Sequence, residues 1–211
     1  MLEALQRFDS ILLGWCNSSL ANPVFDFILP AITDIHKLWV GRIIFLSLWI
    51  FLIWRGGKRG RIVGLALVPL VLFADQLSSA GIKHLVMRSR PCWSESQALL
   101  VKPLRLLAEC GGGYSFPSSH AVNHFAIATF LSFNFPQWRF WLFSYATIIA
   151  FSRVYCGVHY PSDVIVGAMI GTTCGFLFTV ALTRLGKRFP QLSFDPPEVR
   201  SVSTIKNYDS R

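Results

Sequence analysis

Long apolar segments constrain this chain more than any other feature of its sequence. Five of them qualify, or nearly qualify, as membrane spans, at about residues 38–54, 61–84, 120–136, 139–158 and 161–184. A helix needs about 20 mostly apolar residues to cross the roughly 30 Å hydrocarbon core of a bilayer. Only 15% of the residues are charged and 53% are hydrophobic, which is unusual for a soluble domain. The sequence therefore predicts an all-α fold, a polytopic membrane helix bundle.

The N-terminal part of the chain leaves two alternatives open. Segment 20–36 is short and carries Asp26 and Asp34, so it either spans the bilayer or lies partly at the interface. We expect six transmembrane helices, five of them clear and this one uncertain. Residues 1–18 have no clear signal cleavage site. Their apolar residues recur every three or four positions, which suits an amphipathic helix on the membrane surface or an ordinary solvated helix.

The net charge of +9 does not indicate a nucleic-acid partner. The chain has no zinc-ligand spacing and no alternation of aromatic and basic residues. Its cations instead cluster in a predicted loop at 55–61 and after the last span, at 184–188. Basic clusters beside spans are typical of cytoplasmic loops. We expect residues 1–188 to form one membrane domain and residues 189–211 to be a flexible cytoplasmic tail.

Three polar motifs at the ends of apolar segments fall on the side opposite the basic clusters. They are Lys83 with Arg90-Pro91, then Pro117-Ser118-Ser119-His120, then Ser152-Arg153 with His159 and Asp163. Ionisable residues at membrane depth or its edge indicate a functional site by default. Cations, histidines and a carboxylate are together suited to binding and transferring a phosphoryl group.

Each motif has a structural alternative when it is taken alone. Lys83 and Arg90 are seven residues apart, about two helical turns, so both can face one anion or both can reach lipid headgroups. Ser118 and Ser119 begin a helix, where free N–H groups attract anions, although serine is also an ordinary cap. Arg88 matches no motif and is expected to extend toward headgroups.

The third motif gives the sharpest signal. Asp163 follows His159 by four residues, within reach of one imidazole nitrogen. A carboxylate there fixes the tautomer and makes the other nitrogen more basic, although the pair could also only hold a loop. Three unrelated structural pairs would not be expected to converge on one membrane face as a complementary set.

The spacing Lys-x6-Arg-Pro, Pro-Ser-x-His and Ser-Arg-x5-His-x3-Asp resembles the phosphatidic acid phosphatase type 2 superfamily, over about residues 60–184. Ser119 departs from the glycine that is usual in this family. The resemblance implies a metal-independent phosphatase without cofactor, in which His159 forms a phosphohistidine, Asp163 activates it and His120 protonates the leaving group. It implies that the phosphate is held by Lys83, Arg90, Ser118, Ser119 and Arg153.

The resemblance and the position at span ends together predict a membrane lipid substrate. Undecaprenyl pyrophosphate is favoured, and phosphatidylglycerol phosphate, phosphatidic acid and lipid A phosphate stay open. A vanadium-haloperoxidase-like enzyme and a non-catalytic lipid or phosphate transporter are the alternatives. For a bacterial source, the expected location is the inner membrane, with the active site on the periplasmic face.

Five cysteines are present, and two of them fall in the loop predicted to lie outside the cytoplasm. Disulfides persist in such compartments, so a bridge between Cys92 and Cys110 is predicted beside the site. The other three lie in or near apolar segments and are expected to be packing residues.

Overall fold

The computed structural model describes residues 2–93 and 104–192, and this part of the chain is helical without any strand. Seven helices carry the fold: α1 Leu2–Gly14, α2 Pro23–Thr33, α3 Trp39–Arg55, α4 Gly57–Val86, α5 Ser119–Asn134, α6 Arg139–Tyr155 and α7 Pro161–Arg188. The predicted all-α class is confirmed. Most of the predicted tail, from residue 193 onward, lies outside the described residues.

The five clear spans of the sequence correspond to α3 through α7, but the basic residues sit differently from the prediction. The expected loop at 55–61 is reduced to Gly56, because Arg55 ends α3 and α4 begins at Gly57. Helix α7 likewise continues to Arg188. Lysine and arginine are good helix formers, and cations near a helix C-terminus interact favourably with its dipole.

Helix α4 does not extend to Arg90, as a two-turn helical spacing from Lys83 would require. It stops at Val86 because Met87 adopts a left-handed conformation, with φ 51°, and its N–H bonds back to the carbonyl of Lys83 at 2.9 Å. Arg90 therefore lies in a non-helical segment. Lys83 and Arg90 therefore do not lie on one helical face, and the expectation that both face one anion stays a prediction.

Helices α5 and α7 pack side by side in parallel, with their backbones in close approach. A Cβ on Gly167 would lie 2.8 Å from the carbonyl oxygen of Ser118, and one on Gly171 or Gly175 would overlap a backbone carbonyl of α5. Small residues spaced by four let helices approach closely in membranes. The glycine row consequently brings the N-termini of α5 and α7 together, where the backbone N–H of Ser118 donates to the carbonyl of Asp163.

Helix α2 crosses the end of the bundle instead of running along it. Asp26, near its start, accepts from the hydroxyl of Tyr155, while Asp34, at its end, accepts from Arg153. Both partners belong to the last turn of α6. With 11 residues α2 is only roughly 16 Å long, about half of the roughly 30 Å hydrocarbon core. The structure therefore favours the interfacial alternative for segment 20–36, and the expected sixth span is not supported.

Apolar side chains cover much of the bundle surface. Along α3 the exposed residues include Trp39, Val40, Ile43, Phe51 and Trp54. An exposed apolar surface of this extent indicates contact with another apolar phase or partner, and the lipid chains of a bilayer provide such a contact. Among the described residues, α4 and α7 are long and apolar enough to cross a membrane. Helices α3, α5 and α6 have 17, 16 and 17 residues, roughly 24–26 Å.

Helix α1 has two distinct faces. Asp9 and Leu13 are buried against the bundle, whereas Phe8, Ile11 and, directly after the helix, Trp15 are exposed. An outward-facing apolar stripe fits a helix that lies in the membrane surface better than a solvated one.

Filling the glycine row should separate α5 from α7. We expect Gly171→Leu to lower stability by about 3 kcal/mol or more, because even its Cβ would overlap the carbonyl of Val122. Thermal unfolding of the detergent-solubilised protein measures this loss. Gly81→Ala is the matched control, since its nearest neighbour is 3.8 Å away, and an equal loss in both variants would contradict the packing role.

Candidate active site

The three polar motifs meet at one end of the bundle. The N-termini of α5 and α7, the last turn of α6 and the segment after α4 all contribute to this end. Direct contacts join the first motif to the third, since Arg90 touches His159. The backbone bond from Ser118 to Asp163 joins the second to the third. Two helix N-termini therefore direct their positive dipole ends toward the same region, as in known anion sites.

His159 lies between α6 and α7 and is 2% exposed. Its Nε2 is 3.1 Å from an Nη of Arg90, and its Nδ1 is 3.4 Å from Oδ2 of Asp163. An arginine can only donate, so Nε2 must be the acceptor and Nδ1 must carry the proton that faces the carboxylate. This tautomer leaves the lone pair of Nε2 directed at the cationic side of the site.

Asp163 is fully buried in the first turn of α7. Its Oδ2 accepts from the backbone N–H of Tyr160 at 2.9 Å, which completes a capping box, and from the hydroxyl of Ser115. Since this network fixes the carboxylate, the orientation of the His159 imidazole follows from the way α7 begins.

Arg90 and Lys83 provide positive charge from two different segments. Arg90 is 6% exposed and donates to the carbonyls of Gly113 and Val158, both at 3.2 Å. Lys83, near the end of α4, has no hydrogen bond or ion pair within the described residues. It lies within electrostatic range of Arg90 and Arg153. The carboxylates of Asp75 and Asp163 lie within the same range, but neither forms an ion pair with Lys83. A lysine beside two arginines with no direct partner among the described residues is suited to receive an anion.

Arg153 is held by the end of α2. It donates to the hydroxyl of Thr33 at 3.0 Å and to Oδ1 of Asp34 at 3.3 Å, while its Nε has no partner among the described residues. The guanidinium thus keeps donor capacity for a ligand. The N-terminal third of the chain therefore contributes to the site, which the sequence did not indicate.

The second motif keeps two unused polar atoms. Ser118 occupies the N-cap position of α5, but its hydroxyl makes no cap bond, so the alternative of an ordinary serine cap is not supported. Within the described residues, the Ser118 hydroxyl and Nε2 of His120 are buried without a hydrogen-bond partner. The Ser119 hydroxyl instead accepts from Ser78 at 3.1 Å. The group of Ser119 that remains available to a ligand is therefore its backbone N–H, in the first turn of α5.

Burial governs the protonation of the site. It lowers the pKa of His159 to about 4, although Asp163 acts in the opposite direction. Burial, followed by the charge of Arg153, also lowers the pKa of Arg90. His159 is consequently neutral near pH 7, which is the form that a nucleophile requires.

His120 lies in a small cluster with Asp34 and His36. Oδ1 of Asp34 is 3.9 Å from its Nε2, and the ring of His36 is 5.2 Å away, centroid to centroid. The three side chains have potential metal-ligand atoms within 4.8 Å of one another. The oxygens of Asp34 already pair with Lys37 and Arg153, which supply cationic partners without a metal. His36 belongs to none of the three motifs, yet it lies beside the site.

Arg88 is the main correction to the sequence-based site. Instead of extending to lipid headgroups, it pairs with Asp163 at 2.7 Å and with Asp9 of α1 at 2.6 Å. Asp9 and Ser115 were missed as well. The sequence did contain a signal for Arg88, because an ionisable residue at the edge of an apolar segment indicates a functional site by default. Asp9 and Ser115 carry no local signal, since their partners are distant in the sequence.

A disulfide joins Cys92 to Cys110, with the Cα atoms 6.3 Å apart. It closes the chain beside Arg90, whose carbonyl accepts from the N–H of Trp93 and whose Nε donates to Gly113. The bridge thereby ties together the two segments that contact this arginine. The other three cysteines, Cys16, Cys156 and Cys174, are unbridged.

Comparison with known proteins places this geometry in a family. The model of the PAP2 (phosphatidic acid phosphatase type 2) superfamily matches residues 62–187. A lipid A 4'-phosphatase of Bacteroides thetaiotaomicron is 33% identical over 89% of this chain and 83% of its own. The undecaprenyl-diphosphatase BcrC of Bacillus subtilis is 27% identical over 74% of this chain and 75% of its own.

A solved structure has the same fold. It is the first transmembrane PAP2-type phosphatidylglycerolphosphate phosphatase from Bacillus subtilis, with a TM-score of 0.62 and 23% identity. The match covers 88% of this chain and 89% of that one. The helical arrangement is therefore that of a known transmembrane protein.

Removing Asp34 should destabilise the protein, because it leaves the buried guanidinium of Arg153 with a single hydroxyl partner. We expect Asp34→Ala to cost about 1.5–3 kcal/mol, the range for hydrogen bonds to charged groups. Glu109→Gln is the control, since Glu109 also pairs with Lys37 but is largely exposed. Thermal unfolding compares the two variants, and equal small losses would argue against the role of Asp34.

Proposed function

Because the chain belongs to the PAP2 superfamily, we propose that it is an integral membrane enzyme that hydrolyses a lipid phosphate through a phosphohistidine on His159. The observation that carries the proposal is the buried pair of His159 and Asp163, whose free nitrogen faces Arg90. A transporter would need cations for its anion but would have no use for an activated imidazole. The vanadium-haloperoxidase alternative finds no support in a bundle with such an apolar surface.

In the first step, Nε2 of His159 attacks phosphorus and the bond from phosphorus to the lipid oxygen breaks. Arg90 donates to the same nitrogen at 3.1 Å, so the phosphate oxygens must draw the guanidinium away as the substrate binds. Lys83, Arg90 and Arg153 hold the non-bridging oxygens. The Ser118 hydroxyl and the Ser119 N–H complete this cradle. Preorganised charge of this kind stabilises a phosphoryl transition state without requiring a metal.

His120, in its protonated form, gives its proton to the departing lipid oxygen. Its Nε2 is buried without a hydrogen-bond partner among the described residues, so this nitrogen is available to the leaving oxygen, and Oδ1 of Asp34 lies 3.9 Å from it. In the second step, neutral His120 takes a proton from water as the water attacks phosphorus. The bond from phosphorus to Nε2 then breaks, inorganic phosphate leaves, and His159 is restored.

We further propose a single domain over residues 1–188 in which α3 through α7 cross the membrane. Helices α1 and α2 would lie at the outer interface. The basic residues at the junction of α3 and α4 and at the end of α7 support a cytoplasmic position for those ends. The active site, at the opposite end, would then face the periplasm, with the tail beyond residue 188 in the cytoplasm.

The substrate we propose first is the 4'-phosphate of lipid A. Support comes from the relative of that name, which is 33% identical over nearly the whole chain. Undecaprenyl diphosphate, favoured from the sequence, is the second candidate. Two relatives named for that activity match shorter stretches, at 27% identity over 74% of this chain and 34% identity over 57% of it. Both substrates present a phosphate at the membrane surface, where the ends of the helices meet.

A panel of lipid phosphates tests the substrate. Purified protein in detergent with chelator should release phosphate from lipid A at the 4' position, and more slowly from undecaprenyl diphosphate, phosphatidylglycerol phosphate and phosphatidic acid. Mass spectrometry of the lipid product identifies the position cleaved. Faster release from undecaprenyl diphosphate would reverse the order of the two candidates.

Soluble phosphomonoesters are the control for this panel. Equal rates on a soluble ester would contradict a lipid enzyme, and a strict requirement for magnesium would contradict the metal-independent mechanism. Vanadate should inhibit, because it resembles the five-coordinate phosphorus of the transition state.

Variants of the two histidines test the chemistry. We expect His159→Ala to abolish phosphate release. We expect His120→Asn to reduce it by roughly 100- to 10,000-fold, since a general acid–base group is lost. Substrate labelled on phosphorus, quenched in alkali, should leave label on His120→Asn protein and none on His159→Ala protein. His84→Ala, which alters an exposed histidine outside the motifs, is the control, and full activity of His159→Ala would overturn the mechanism.

A further inference from the structure

The two oxygens of the Asp163 carboxylate have different partners. Oδ2 faces His159 and also accepts from Tyr160 and Ser115. Oδ1 accepts from Nη1 of Arg88 at 2.7 Å. Since a carboxylate rotates as a unit, the group that holds Oδ1 also decides where Oδ2 points.

Arg88 is itself held from three directions. Its Nη2 donates to Oδ2 of Asp9 at 2.6 Å, and its Nη1 also donates to the hydroxyl of Ser162 at 2.7 Å. The guanidinium lies over the ring of Tyr160, 4.0 Å from its centroid. A planar fork can serve two carboxylates at once in this way, which the single ammonium of a lysine cannot reproduce.

Asp9 connects this arrangement to the N-terminal helix. It is 3% exposed, and its Oδ1 accepts from the backbone N–H of Ser162 at 2.9 Å, while Oδ2 accepts from the Ser162 hydroxyl. The carboxylate therefore binds the first turn of α7 and the guanidinium of Arg88 together. A continuous chain of charged contacts runs from α1 through Arg88 and Asp163 to His159.

We propose that Arg88 and Asp9 are positioning residues for phosphoryl transfer. Arg88 fixes the Asp163 carboxylate so that Oδ2 meets the imidazole of His159, and Asp9 fixes Arg88. The inference deepens the proposed function and rests on it. It makes α1, which lies outside the three motifs, part of the apparatus that prepares the nucleophile.

The charges around His159 give the inference a measurable signature. The imidazole is faced by Arg90 from the segment after α4, Arg153 from α6, His120 from α5 and Asp163 from α7. Arg88 is the cation that offsets the charge of Asp163, so its removal lets the carboxylate stabilise a protonated imidazole more strongly even when the rotation of the carboxylate is no longer fixed. The pKa of His159, which burial holds at about 4, should then rise. Because neutral His159 is the active form, activity should be lost at a higher pH as the solution is acidified.

The experiment compares full-length wild-type protein with Arg88→Gln, Arg88→Lys and Asp9→Asn on the lipid phosphate that the wild type hydrolyses best. We expect Arg88→Gln to lower kcat by roughly 10- to 100-fold, as loss of an orienting partner does elsewhere, with KM nearly unchanged. The acidic limb of its kcat/KM profile should move to higher pH. Arg88→Lys keeps the charge and should show a smaller shift, and it serves as the test if Arg88→Gln does not fold.

A double-mutant cycle separates positioning from general stabilisation. Asp9→Asn should lower kcat in the wild-type background but have little further effect on kcat in the Arg88→Gln background, because it acts through Arg88. Equal losses of kcat in both backgrounds would overturn the role of Asp9.

Arg105→Gln is the matched control, since it breaks the ion pair of Arg105 with Asp26 elsewhere in the molecule. It should reduce thermal stability without moving the acidic limb. Wild-type kcat in folded Arg88→Gln, or an acidic limb unchanged in both Arg88 variants, would overturn the inference. Absence of phosphatase activity in the wild type would instead overturn the proposed function, so the two failures are distinguishable.

Discussion

The close backbone approach of α5 and α7 is the constraint on which the rest of this structure depends. Gly167, Gly171 and Gly175 leave room for the backbone of α5, so the two helices start side by side. Ser118 and Asp163, which belong to different motifs, are consequently hydrogen-bonded through their backbones. A wider helix pair would separate the proposed phosphate-binding residues at the start of α5 from His159, the proposed nucleophile, which precedes α7.

Local spacing predicted the parts of the site that local structure controls. The four-residue interval between His159 and Asp163 is one example, because His159 lies just before α7 and Asp163 lies in the first turn of that helix. The apolar segments likewise indicated α3 through α7 within a few residues. Helical spacing did not predict the position of Arg90. The left-handed conformation of Met87 ends α4 before Arg90, and nothing in the local sequence indicates that conformation.

Contacts between distant segments could not be obtained from spacing. Arg88 and Asp9 are 79 residues apart, and Asp34 meets Arg153 from 119 residues away. Both acids lie in the N-terminal third, outside the family match at residues 62–187. The glycines at intervals of four in α7 did carry a readable signal, since small residues in such a row favour close helix packing. The motif residues of the site are thus close together in the sequence, whereas the residues that hold them in place come from distant segments.

The contact between Arg90 and His159 has a consequence for selectivity among electrophiles. As long as the guanidinium covers Nε2, small neutral reagents and stray acyl donors find no exposed lone pair on this imidazole. In the proposed mechanism, only a ligand with enough negative charge to attract the arginine uncovers the nitrogen, and the same attraction brings phosphorus within reach of it. Binding of the anionic ligand and exposure of Nε2 are then a single event. A reactive imidazole can therefore be kept at a membrane surface without being consumed by side reactions.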